Sequence, residues 1–127
     1  MVFKSVTTDH FDKKFSKLTS KNSTFKQQLI NKMKGIRQNP DIGESKSGNF
    51  KGLRGLHVSK HYVIIYLIFK DLVIFIHIDH HDQAYNAEAI NQLTRRLSVD
   101  TKVRVVLEKA GVTSLDFAKF IKYIRNK

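Results

Sequence analysis

Apolar positions are packed most densely between residues 50 and 85, and the pattern there is that of strands. Val63–Phe69 (VIIYLIF) and Leu72–Ile78 (LVIFIHI) are β-branched or aromatic almost throughout, as suits strands buried on both faces. Only Lys70 and Asp71 separate them, a spacing that fits a tight antiparallel hairpin. Leu53–Ser59 (LRGLHVS) predicts a third strand, joined to the second by a short polar turn from Ser59 to His61. The expectation is a three-stranded antiparallel meander.

Periodicity changes on either side. Val2–Val6 alternates as a short strand does. Thr8 follows as a helix cap with Asp9 in the first turn, and Phe11, Phe15 and Leu18 fall on one face. Ser23 or Thr24 caps a second helix whose apolar stripe is Phe25, Leu29, Met33 and Ile36. Asn39-Pro40 and Gly43 end it. The apolar stripes are expected in the core. Gly43–Gly52 is a polar loop without the spacing of a phosphate-binding loop.

Beyond the strands, Asn86–Leu97 predicts a helix with Ala87, Ile90 and Leu93 or Leu97 inward. Ser98–Ala110 predicts another, stopped at Gly111. Thr113 and Asp116 resemble a capping box ahead of a last helix with Phe117, Phe120, Ile121 and Ile124 on one face. The class expected is α+β: an N-terminal strand and helical hairpin on a mainly antiparallel small sheet, with extra helices at the C-terminus.

The chain has 127 residues, enough for one domain with a packed core. It has no cysteine, which excludes disulfides and thiolate metal sites and fits a reducing cytoplasm. The N-terminus carries no signal-peptide pattern, and the apolar runs are too short to span a bilayer. Charge adds the next constraint. Lys and Arg total 23 against 11 acids, a net charge of +12, so the expected partner is a polyanion such as RNA.

Five of the six histidines fall between residues 50 and 85. Histidine can give or take a proton near neutrality, and Lys and Arg can hold phosphate charge. RNA can be cut without a metal by its own 2′-hydroxyl if a base, an acid and a cation converge. The candidates are His57, His61, His81 and Tyr85 for catalysis, and Lys51, Arg54 and Lys60 for phosphate. His77, inside an apolar strand, reads as a structural residue, and His80 as a loop residue. A metal set of His77, Asp79 and His81 would need i, i+2, i+4 spacing along one strand. It matches no zinc pattern, so no metal ligand or cofactor is assigned.

Phe3, Phe15 and Leu18, Asn39-Pro40 with Gly43, Lys51-Gly52-Leu53-Arg54, His61-Tyr62 running into Ile64-Ile65-Tyr66, then His81-Asp82 and Tyr85 together resemble the RelE/ParE superfamily of type II toxin–antitoxin toxins. The resemblance covers residues 1–97, with 98–127 a helical extension past the family's usual end. It is nearest to the YafQ-like branch, which reads K-G-x-R-x-x-H and places a histidine four residues before a final aromatic. Here these are Lys51, Gly52, Arg54, His57, His81 and Tyr85. His61 stands where that branch often has an acid.

The resemblance implies a RelE-like fold and a metal-independent endoribonuclease. Its partners would be mRNA, the ribosome and a cognate antitoxin. The chemistry then assigns His81 and His57 as the acid–base pair in unassigned order, His61 to orient the phosphate or substitute for one of them, and Tyr85 to stack on a base or polarise the attacking hydroxyl. Arg54, Lys51 and Lys60 hold phosphate. Two rivals remain: a ParE-like toxin that binds DNA gyrase, and a basic RNA-binding module without activity. The amphipathic segment Leu115–Ile124 either extends the core or masks in cis a surface that an antitoxin would use.

Overall fold

The computed structural model describes residues 2–45, 52–84 and 86–125. Five strands form one sheet: β1 (Lys4–Thr7), β2 (Glu44–Ser45), β3 (Leu53–Val58), β4 (Tyr62–Phe69) and β5 (Leu72–His80), in the order β1-β5-β4-β3-β2. The β3–β4–β5 meander is antiparallel, as its tight connections require, and β1 lies parallel beside β5. β2 was not expected. It is a two-residue edge strand paired with Gly55 and Arg54, and so short and polar a segment carries no period-2 signal. The rest of that polar loop, with Lys46 and Lys51, lies outside the described residues.

Among the described residues there are six α-helices: α1 (Asp9–Thr19), α2 (Ser23–Gln38), α3 (His81–Ala84), α4 (Ala87–Arg96), α5 (Thr101–Lys109) and α6 (Ser114–Arg125). Side chains set their starts. The Thr8 hydroxyl accepts from the Phe11 amide at 3.0 Å, and the Thr8 amide donates to the Phe75 carbonyl at 3.1 Å, fastening α1 to β5. Asn22, one residue before the expected cap, closes α2 by accepting from Phe25. Asp100 caps α5, so this helix starts later than the expected Ser98. The second Asp100 oxygen accepts from the Asp9 amide at 2.9 Å, tying the start of α5 to the start of α1. Gly111, at φ 78°, ends α5 in the left-handed conformation that glycine adopts without strain.

Side-chain alternation gives the sheet two apolar faces. One carries Val58, Ile64, Tyr66, Val73, Phe75 and Ile78, packed under Phe11, Phe25, Leu29 and Ile36 of α1 and α2. The other carries Leu53, Val63, Ile65, Leu67, Phe69, Leu72 and Ile74. Ile90 of α4, Val103 and Leu107 of α5, and Phe117 and Ile121 of α6 cover it. The last helix therefore extends the core. The architecture is three-layered: helical hairpin, sheet, C-terminal helices. Among the described residues no helix is long and apolar enough to cross a membrane.

One buried polar contact holds the edge of the sheet. The Tyr66 side chain is fully buried. Its hydroxyl donates to the Pro40 carbonyl at 2.5 Å and accepts from the Gly43 amide at 2.9 Å. A Cβ on Gly43 would lie 2.3 Å from that hydroxyl. Tyr66→Phe leaves a buried donor and acceptor unpaired and should lower unfolding stability by about 1–3 kcal/mol. Gly43→Ala should destabilise as well, through the clash. Urea denaturation of both variants checks this, with the midpoint falling and the slope unchanged.

Candidate active site

Candidate histidines gather at the end of the sheet where β3 turns into β4 and β5 runs into α3. Ser59, at φ 57°, makes the sharp turn after β3. His61 follows in that turn. Its carbonyl accepts the His81 amide at 2.6 Å, so the β3–β4 turn and the start of α3 are joined. The His61 ring stacks on His80, centroids 5.6 Å apart and 9° from parallel. His80 also meets His81 edge-on at 5.2 Å and Tyr62 edge-on at 5.7 Å. The Asp82 carboxylate lies 3.1 Å from His81 Nδ1 and 3.5 Å from His80 Nδ1. Three histidines and one acid thus share a partly exposed corner.

His57 is exposed on β3, opposite Val63, which in turn faces Asp79 on β5. Alternation puts His57 and Asp79 on the face covered by α4–α6, and His80 with Tyr62 on the other. His57 pairs with Val63, and His81 begins α3 just beyond the end of β5. Lys60 is exposed in the turn beside His61. Arg54 is committed elsewhere. Its guanidinium donates to the Gly43 carbonyl at 2.8 Å and pairs with Asp41 at 3.3 Å, on the face opposite His57. Tyr85 and Lys51 lie outside the described residues.

His80 is the last residue of β5, not a loop residue. His81 opens α3, so the strand spacing that would align His77, Asp79 and His81 does not continue through it. His77 is the buried, hydrogen-bonded residue that its apolar surroundings suggested. A bulge in β5 pairs Ile65 with His77 and Tyr66 with Phe75, leaving Ile76 out of register. His77 Nδ1 sits 3.0 Å from Nε2 of His10 on α1, and Asp79 lies 3.8 Å from its other ring nitrogen. His10 had no sequence signal, because only the fold carries α1 to the end of β5. It lines a cleft of about 520 Å³ between α1, α4 and α5, with Lys13, Arg96 and Lys102. A shallower groove of about 300 Å³, lined by His77, Asp79 and Glu88, runs between β5 and α4.

The chain matches the model of a family described as ParE toxin of type II toxin-antitoxin system, parDE, over residues 7–85. The chain belongs to this toxin family. A curated relative, putative toxin RelE4 of Methanocaldococcus jannaschii, is 26% identical over 81 residues, 62% of this chain and 86% of the relative. A mutant of the E. coli toxin RelE in the free state superposes with a TM-score of 0.57 at 20% identity, covering 70% of this chain and 93% of that one. The YoeB/ParE toxin from Agrobacterium tumefaciens gives 0.56 at 13% identity, covering 61% and 98%. The chain in the Mycobacterium tuberculosis toxin-antitoxin complex RelBE2 gives 0.54 at 14%, covering 63% and 99%. The fold is therefore the RelE-like α+β fold, within the RelE/ParE superfamily. Helices α4, α5 and α6 lie beyond the residues that the family model matches.

Burial makes the His77–His10 pair sensitive to acid. Burial chiefly, then the neighbouring His10, pushes His77 down to about 4. Burial, with Lys14 and Arg96, lowers His10 too. Above pH 6.5 both the folded and the unfolded chain keep His77 neutral. Between 6.5 and about 4 the unfolded chain binds a proton that the folded chain refuses, so stability falls as pH falls. The loss over that window is roughly 3 kcal/mol. His77→Gln should flatten this part of the stability–pH curve, measured by urea unfolding from pH 7 to 4.

Proposed function

We propose that this toxin is a metal-independent endoribonuclease that cuts mRNA, on the ribosome, by attack of the RNA's own 2′-hydroxyl. The observation that supports this most is the joining of the His61 turn to His81 at the sheet end where His57 is also exposed. One histidine of the His57–His81 pair takes the proton from the 2′-hydroxyl. The 2′-oxygen attacks phosphorus and forms the 2′,3′-cyclic phosphate. The bond to the 5′-oxygen breaks, and the other histidine protonates that oxygen. His61 orients the phosphate between them. Lys60, with Lys51, supplies the cationic charge that the phosphorane needs. Arg54 acts through the loop it holds at Asp41 and Gly43. Tyr85 stacks on a base.

The proposed toxin unit is residues 1–97, with 98–127 as an added helical layer, and the proposed regulator is a cognate antitoxin protein. The family model that matches is named for ParE, which favours a second reading in which the chain binds DNA gyrase. The two readings part in one assay. With chelator present, the wild type should cleave a translated message, and His81→Ala and His57→Ala should each slow cleavage by about a hundredfold or more. A folded wild type that leaves the message intact but blocks gyrase supercoiling would overturn the ribonuclease reading.

A further inference from the structure

The corner formed by His80, His81 and Asp82 is built for more than proton transfer. One ligand atom from each lies within 4.8 Å of the others. His81 Nδ1 lies 3.1 Å from one Asp82 carboxylate oxygen and His80 Nδ1 lies 3.5 Å from the other, each close to the donor–donor edge of a tetrahedral zinc site. With Zn–N and Zn–O bonds near 2.1 Å that edge is about 3.4 Å. Two imidazoles and a carboxylate are a donor set that borderline divalent ions prefer. A fourth position would stay open to water, since the corner is partly exposed.

The surroundings hold these donors in place, as a binding site requires. The His80 ring stacks on His61 and meets Tyr62 edge-on. The His80 amide donates to Asp79 at 2.8 Å. The His81 amide is fixed on the His61 carbonyl. Spacing rules overlook the site because its ligands are consecutive. The last strand residue and the first two helical residues converge only because the backbone changes from β to α between them.

We propose that His80, His81 and Asp82 bind a single divalent transition-metal ion of the zinc class, and that the bound ion takes His81 out of proton transfer. The ion is an inhibitor of the site, not its cofactor. The second half of this proposal rests on the ribonuclease reading; the first does not.

The test is calorimetric titration of the untagged, metal-stripped full chain with zinc chloride. One saturable site per chain is expected. His80→Ala and Asp82→Asn, each checked for folding by circular dichroism, should weaken it by about tenfold or more. His57→Ala should leave it unchanged. Failure of the wild type to saturate, or equal binding by all variants, overturns the site. In the cleavage assay, zinc should abolish wild-type activity over the concentrations that fill the site, and His80→Ala should need about tenfold more. Filled sites with unimpaired cleavage overturn the inhibition. A zinc-free wild type that never cleaves is instead a failure of the ribonuclease reading, and calorimetry then decides the site alone.

Discussion

Burial of both faces of the β4–β5 hairpin is the constraint on which the molecule depends. Val63, Ile65, Leu67 and Phe69 point to one side, and Ile64 and Tyr66 to the other. An antiparallel sheet with one wet face could stand on a single helical layer, but this one needs two. The N-terminal hairpin supplies the first and the C-terminal helices the second. The second layer includes α5 and α6, which the family match does not reach, yet Phe117 and Ile121 are as integral to the core as any strand residue. Asp100, bonded to both the Val103 and Asp9 amides, links the two layers at the edge near β1.

The same constraint places the polar chemistry. Both faces in mid-sheet are filled, so titratable groups are left at the strand ends or are buried with partners. His77 takes the second course, bonded to His10 and kept neutral by burial. His57, His61, His80 and His81 take the first, at the end where two turns meet. Arg54 lies on the same strand as His57 but across the pleat, and there it serves the loop around Gly43. Parity alone thus puts Arg54 and His57 of one strand on opposite faces of the sheet.

The strands and helices were legible because their signals are local. Two β-branched runs two residues apart dictate a hairpin, and stripes at helical spacing dictate buried faces. Caps shifted by a residue, as at Asn22, because several polar residues compete for one role. The site was legible in part. His61 and His81 were among the named candidates, and a backbone hydrogen bond joins them. His80 and His10 were not, since contacts between a strand end and a distant helix leave no periodic trace. The face that Arg54 takes was not legible, because parity across the pleat cannot be judged until register is known. The edge strand Glu44–Ser45 was too short to signal at all.

If the 2′-hydroxyl is the nucleophile, chelator should leave cleavage intact and the upstream fragment should end in a 2′,3′-cyclic phosphate. The most direct measurement is therefore cleavage of a ribosome-bound message in chelator, with a single 2′-deoxy nucleotide placed at the cut site. The account predicts that this one missing oxygen abolishes cleavage there. Unchanged cleavage at the deoxy position would contradict it, because the attacking group would then have to come from water or from the protein.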